Sequence, residues 1–511
     1  MTWSFEKALE RAEDRYKQTS DLEIKDITRE IDFDQISRTK PRRVTGTHFY
    51  VDVTTFNRQL RANASDEGEG MLRLLHIFAR EVSKIVAKDF DGQKIHFQGP
   101  RLHALAYRPT SDESLMATKA VLTCLAIRQM TAIFNDVLGL SETNTWRVAA
   151  GLDHGRCIAT RNGAGGDQEL LFLGSAANHA AKLLKDSGIR MTAEVYDLLP
   201  DDLKAEAERS DSDDIYKITL TASKIEDLAG QYGWNWKSES TRARLEILAE
   251  RFPQGTVSST AVKERIDNAS LALSNTKSVS GASIFADVDG FTGYIDSLES
   301  IDNNLREAIR LFHVLRGVMR DSATQDFEAL RIQYQGDRMQ AFAYRPVSND
   351  EAAALEAIRL ATALMTVADE VIPTALPELP AHRLAVGLAW GQVLVSKIGE
   401  HGKTDVISLG GSTADAASIQ QRLDGGQIGI NRTIRDLLPA WLQEAFSWSA
   451  TAQTYVATDI SYNDLADLEA SEKPDRALSA LALTAIGATA TAALINSRRA
   501  HRKPVKPWSN D

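Results

Sequence analysis

The chain has 511 residues, of which 43% are hydrophobic and 25% charged, a globular composition long enough for about three units. Its formal net charge of −11 excludes broad, unspecific nucleic-acid binding, which needs a basic surface, but leaves room for a nucleotide substrate in a locally cationic cleft. Cys124 and Cys157 are the only cysteines and have no metal-ligand spacing around them, so they read as reduced apolar side chains rather than a disulfide framework.

In chain order, residues 1–43 open as a charged, amphipathic helix with no apolar signal region, which predicts a cytoplasmic protein. Residues 44–200 begin with a strand-like run, His48 to Phe56, and continue through helical stretches to a strand–turn–strand at Gln98-Gly99-Pro100. A strand near Gly151, a hairpin and an Ala-rich helix after Gly174 follow. Residues 201–279 read as a charged, helix-prone connector containing Gly233-Trp-Asn-Trp236. Residues 280–445 run through the same pattern again, with helices predicted at 303–320 and 351–371. Residues 446–511 form a tail whose stretch 477–495 carries no charge and is followed by a basic cluster up to Lys506. That stretch leaves two readings open: a soluble or partner-binding helix, and a segment that inserts into or lies on a membrane through 477–503.

The order of elements repeats because the sequence does. Gln98-Gly-Pro-Arg-Leu-His-Ala-Leu-Ala-Tyr-Arg-Pro109 returns as Gln335-Gly-Asp-Arg-Met-Gln-Ala-Phe-Ala-Tyr-Arg-Pro346. Three further blocks recur in the same order at a near-constant offset: those around Asp52 and Asp287, around Gly151 and Gly387, and after Leu173 and Leu409. A duplicated domain follows. Alternating helices and strands with a central hairpin predict an α/β (α+β sandwich) unit, one helix-covered sheet in each copy.

Phe285-Ala-Asp287-Val288-Asp-Gly-Phe291-Thr292, followed fifty residues after its first aspartate by Gly336-Asp337, resembles the metal-binding signature of class III nucleotidyl cyclases. The resemblance covers both copies and implies an intramolecular pseudo-dimer of cyclase-like domains. It implies two divalent ions, Mn²⁺ or Mg²⁺, held by Asp287, Val288 and Asp337. Hard ions of this kind take carboxylate oxygens, and a pair about 4 Å apart can both activate a ribose 3′-hydroxyl and offset triphosphate charge.

The two copies have decayed in complementary ways. The first keeps Asp52, as a vestigial or second site, but has Pro100 where the second has Asp337. The second has Ala414 and Ser418 where the family places an asparagine and an arginine, and the first has Asn178 and Lys182 there, four apart on one helix face. One working site is implied, with metals on the second copy and catalytic Asn178 and Lys182 from the first. The family's purine-reading positions hold His96 and Leu171 in the first copy, Gln333 and Ile407 in the second. Neither purine code is present, and Tyr50 with His96 adds bulk that favours a smaller ring.

These departures resemble the Pycsar pyrimidine cyclases of bacterial anti-phage defence. The resemblance implies UTP or CTP as substrate, UTP favoured, a cyclic product, and a separate downstream effector that senses it. Three alternatives stay open: a cytidylate or purine cyclase, a non-enzymatic nucleotide-binding pseudo-cyclase, and further homodimerisation of the chain. Gly165-Gly-Asp-Gln-Glu169, which looks like a diguanylate-cyclase string, has no match in the second copy and reads as a polar hairpin tip.

Overall fold

The computed structural model describes residues 3–27, 33–62, 68–162, 169–210, 214–298, 302–400 and 403–472. The stretch 477–495, its basic tail and Gly165 to Gln168 lie outside the described residues.

The first half contains β1 (Lys25–Asp26), β2 (Arg42–Val53), β3 (Gln93–Gln98), β4 (Arg101–Ala106), β5 (Val148–Asn162), β6 (Glu169–Leu173), β7 (Gly188–Thr192), β8 (Ala207–Arg209) and β9 (Ile215–Ile218). They form one sheet in the order β3-β4-β2-β5-β7-β9-β8, with β1 parallel to β2 and β6 folded back on β5. The second half contains β10 (Ser259–Ala261), β11 (Thr276–Val288), β12 (Leu330–Gln335), β13 (Arg338–Ala343), β14 (Leu384–Glu400), β15 (Lys403–Leu409), β16 (Gln427–Ile430), β17 (Ser447–Ser449) and β18 (Thr454–Thr458). Their order is β12-β13-β11-β14-β16-β18-β17, with β10 on β11 and β15 on β14. The expected tandem α/β architecture forms, with β8 and β9 in the segment read as a connector and β17 and β18 in the segment read as a tail.

The repeat reaches into the punctuation of the chain. Each long helix is opened by a side-chain cap: Asp112 accepts from Leu115 N at 2.8 Å ahead of Glu113–Val137, and Asn349 accepts from Ala352 N at 3.0 Å ahead of Asp350–Thr366. The second of these helices widens over Val367–Val371, then continues as Ile372–Ala375. The hairpins β3–β4 and β12–β13 turn on two residues whose first is Gly99 (φ +60°) or Gly336 (φ +69°), the position that a type II′ hairpin reserves for glycine. That turn puts the side chain of residue 100 or 337 at a hairpin tip.

In each half the long helices cover one face of the sheet, and a short helix, Ser175–Lys182 or Gly411–Gln420, packs on the other. Between the helices and the first sheet, Phe78, Phe134 and Trp146 pack ring against ring with centroids 5.0–5.6 Å apart. Each hairpin arm crosses over: Ile158, Leu171 and Leu173 of β5–β6 join the second domain's core, while Leu394, Ile398, Ile407 and Leu409 of β14–β15 join the first domain's. Two ion pairs repeat this exchange about a pseudo-two-fold axis. Lys94 of β3 meets Asp405 of β15 at 2.8 Å, and at matched positions Arg331 of β12 meets Glu169 of β6.

The leaders also exchange. The helix Phe5–Lys17 precedes the first sheet but packs on the second domain's helix Asp302–Asp321; the helix Ser238–Arg251 precedes the second sheet but packs on Gly68–Lys84 and Glu113–Val137 of the first. The segment 201–279 therefore holds the last strands of the first sheet, β8 and β9, and the leader of the second. Among the described residues, no helix is long and apolar enough to cross a membrane.

Candidate active site

Asp287 closes β11, paired with Ala385 of β14, and Asp337 occupies the tip of the β12–β13 hairpin beside it. The two carboxyls lie against each other. Burial pushes the Asp287 carboxyl above the ordinary carboxylate range, against the pull of Arg338 and a hydrogen bond from Gln420. Burial and then the charge of Asp287 push Asp337 well above it. Gln420 Nε2 donates to Asp287 Oδ2 at 3.1 Å, and Arg338 Nη1 donates to Gln420 Oε1 at 3.4 Å. Two half-buried like charges without a cation between them are costly, and hard divalent ions match them. Among the described residues no cluster of three potential metal-ligating side chains occurs, so a divalent ion here would draw on these two carboxylates and on backbone oxygens such as that of Val288.

The first domain offers its helix Ser175–Lys182 to this edge. That helix packs on Phe291–Leu298, which starts four residues after Asp287; on it Asn178 is half-buried and Lys182 exposed. Gly174 permits the approach: a Cβ there would stand 2.8 Å from Cys157 Sγ and 3.1 Å from a strand carbonyl.

The pseudo-symmetric position is closed. Arg101 Nε and Nη2 donate to Asp52 Oδ2 at 3.1 and 2.8 Å, placing a guanidinium where a metal would need the carboxylate. At its rim Arg61 pairs with Asp415 at 2.7 Å, beside Ala414 and Ser418. Asp52→Asn should therefore leave turnover within about tenfold of wild type and cost about 1–2 kcal/mol, because it strands Arg101 rather than a metal. A complete loss of product in that variant would show that Asp52 takes part in the chemistry.

Of the base-reading positions in the first copy, Leu171 is buried and His96 half-buried. His96 bonds Gln98 at 2.7 Å and stands edge-on to His103, while Leu171 is 3% exposed. Tyr50 stacks on His103 with centroids 4.2 Å apart and planes 4° from parallel, and His48 Nδ1 meets His103 Nε2 at 3.1 Å. At matched positions the second domain has Ser283, Gln333, Gln340 and Ser408, with Gln340 donating to Ser408 at 2.8 Å. One side of the interface is thus an aromatic box and the other a chain of amides and hydroxyls.

No protein-family profile matches the chain. A crystal structure of a class III adenylyl cyclase-like ATP-binding protein from Pseudomonas aeruginosa superimposes with a TM-score of 0.77, over 92% of this chain and 100% of that one, at 24% identity. This chain carries the class III cyclase fold twice. It is also 27% identical, over 99% of its own length and 98% of the other's, to a Pseudomonas aeruginosa protein named uridylate cyclase. A second protein of that name, from a Rhizobium species, is 27% identical over 76% of each chain.

Within this tandem cyclase fold, sequence reasoning missed the residues that hold the expected ones in place. Arg101 and Arg338 follow the hairpin tips in both copies, and that repetition was the available signal. Gln420 lies in a helix whose matched position in the first copy is Leu184, so the repeat gave no cue.

The buried imidazoles make the interface acid-sensitive. Burial pushes His48, His96 and His313 down to about 3, whereas each takes up a proton near pH 6.5 in the unfolded chain. Their contribution is complete above pH 6.5 and is lost as pH falls toward 3. Between pH 7 and pH 5 each should cost about 2 kcal/mol. Urea unfolding at the two pH values checks this, and an unchanged midpoint would refute it.

Proposed function

We propose that the protein is a nucleotidyl cyclase that converts a pyrimidine nucleoside triphosphate, UTP before CTP, to its 3′,5′-cyclic monophosphate and diphosphate. The observation that carries this reading is the asymmetry between two matched positions: facing, half-buried carboxylates at Asp287 and Asp337, and an arginine-filled counterpart at Asp52. Asp287 and Asp337 would hold the divalent ions, which lower the pKa of the 3′-hydroxyl and offset charge on the phosphates. The ribose O3′–Pα bond forms, the bond from Pα to the bridging oxygen breaks, diphosphate leaves, and the hydroxyl proton passes to solvent. Asn178 orients the ribose, and Lys182 offers a point charge to the α-phosphate where a relative with arginine would offer a fork.

The proteins named uridylate cyclase, similar over most or all of their length, support UTP, as does the bulk of the aromatic box, which favours the smaller ring. On this reading the product is a second messenger, made in the cytoplasm and sensed by a separate effector in anti-phage defence. Incubation with Mn²⁺ and each of ATP, GTP, CTP and UTP, followed by mass spectrometry, tests it. A cyclic pyrimidine monophosphate is expected. Cyclic AMP or GMP would keep the chemistry and discard the base assignment; no product from any of the four would leave a nucleotide-binding module.

A further inference from the structure

His96 and Leu171 occupy the positions where the fold would read a base, yet Leu171 has no polar group and His96 spends its Nε2 on Gln98. The missing polar contact comes from the other domain. Arg316, on the helix Asp302–Asp321, is 2% exposed, and its guanidinium lies 3.8 Å from the centroid of the Tyr334 ring. The Tyr334 hydroxyl donates back to the Arg316 carbonyl at 2.6 Å, fixing the stack. The Nε and Nη1 of Arg316 have no hydrogen-bond partner among the described residues, and no carboxylate among them lies within ion-pair distance. A buried cation with unused N–H groups is rare in a native protein unless something arrives to accept from it.

Two contacts fix where that cation sits. One helical turn before it, His313 Nε2 meets Thr160 Oγ1 at 3.2 Å, and Thr160 is the cross-strand partner of Leu171. On its other side Tyr334 N donates at 2.8 Å to Glu169, two residues before Leu171. Leu171 itself packs in one core with Phe312 and Leu315, neighbours of Arg316. The charge of Arg316 also reaches His96: after burial and Lys94, it is the next influence holding that imidazole neutral.

We infer that Arg316 is the base-specificity residue of this site, donating a hydrogen bond from the metal-bearing domain to the O4 carbonyl of uracil. The inference rests on the cyclase reading above and names the group that chooses the base. Arginine only donates. At ring position 4 uracil presents an acceptor and cytosine an amino donor, so the same side chain attracts one and repels the other. Position 4 also lies opposite the ring nitrogen that bears the ribose, which suits the most deeply buried polar group.

The test uses wild-type protein with Mn²⁺ and UTP, CTP, 2-thio-UTP and 4-thio-UTP, comparing kcat/KM. UTP is expected to exceed CTP by about a hundredfold or more, because rejecting a mismatched donor at a buried donor is efficient. Sulfur at position 4, a poorer acceptor, should cost about tenfold, and sulfur at position 2 less than about threefold. Arg316→Met should collapse the UTP-to-CTP ratio at least about tenfold, largely through KM, with Arg316→Lys retaining part of it. Equal use of UTP and CTP, indifference to 4-thio substitution, or a Met variant that slows both nucleotides alike would each overturn the assignment. The thio-analogue comparison holds even if the Met variant fails to fold. No cyclic product from any nucleotide would sink the cyclase reading and this inference together; product without discrimination at position 4 would sink the inference alone.

Discussion

Replacing Asp337 with asparagine is expected to abolish cyclic-nucleotide formation, by a factor of about 10³ or more, while making the metal-free protein more stable. Both effects come from one cause. Asp337 is half-buried against Asp287, and desolvation together with that neighbouring charge holds its carboxyl well above the ordinary range. A carboxylate whose pKa is higher in the fold than in the unfolded chain adds stability below its unfolded pKa, and that stability is lost as pH rises through the folded value. Asparagine keeps the shape and removes the charge, so the variant's advantage should grow with pH and reach about 1–2 kcal/mol at pH 8. On the proposed reading the same substitution removes one of the two carboxylates that would hold the ions. Mn²⁺ should raise the melting temperature of wild type, by binding the folded state alone, and leave Asp337→Asn unmoved. A variant that forms product at the wild-type rate would refute the metal assignment. One that loses activity and also melts lower in the absence of metal would refute the electrostatic account and leave a structural role for Asp337.

The tandem fold could be read from the chain because duplication writes every element twice. Gly99 and Gly336 mark the same hairpin, Asp112 and Asn349 cap the same helix, and matched blocks tie the strands between them. The acidic pair was legible because the string from Phe285 to Thr292, with Gly336-Asp337 after it, resembles a known cyclase signature. What the sequence did not reveal was exchange between the copies. Nothing in the pattern of Phe5–Lys17 or Ser238–Arg251 says which domain each helix covers, since an amphipathic face fits either. Arg316 escaped notice for a similar reason. A lone arginine on a helix reads as a solvated charge, and only the arm carrying Glu169 to Leu171 in from the other copy buries it. Such groups are defined by contacts more than a hundred residues apart along the chain, which local spacing does not encode.

The exchanged leaders carry the second large effect. Arg244, on Ser238–Arg251, donates from Nε to Glu81 Oε1 at 2.8 Å and from Nη2 to Asp89 Oδ2 at 2.8 Å. Glu81 is 1% exposed and Asp89 8%. Arg244→Ala leaves two buried carboxylates with their principal cation gone, a change of the class that costs about 3–5 kcal/mol. Burial already pushes both carboxyls up, and Arg244 is the main influence pulling them down. Without it their pKa values rise further above the unfolded ones, so the loss should deepen as pH rises from 5 to 8. The matched leader provides the control. On Phe5–Lys17, Arg11 pairs with Asp326 at 2.5 Å, but Lys7 pairs with the same carboxylate at 2.5 Å. Arg11→Ala keeps one cation in place and should cost only about 1 kcal/mol. Chemical denaturation of the two variants at pH 7 distinguishes them, and equal losses would mean that buried charge pairing is not what secures the helices. Each leader comes from one copy and grips the other, so this pairing also ties the two domains together. Below its melting transition Arg244→Ala should keep a near-normal KM; a raised KM there would mean that the leader also shapes the site.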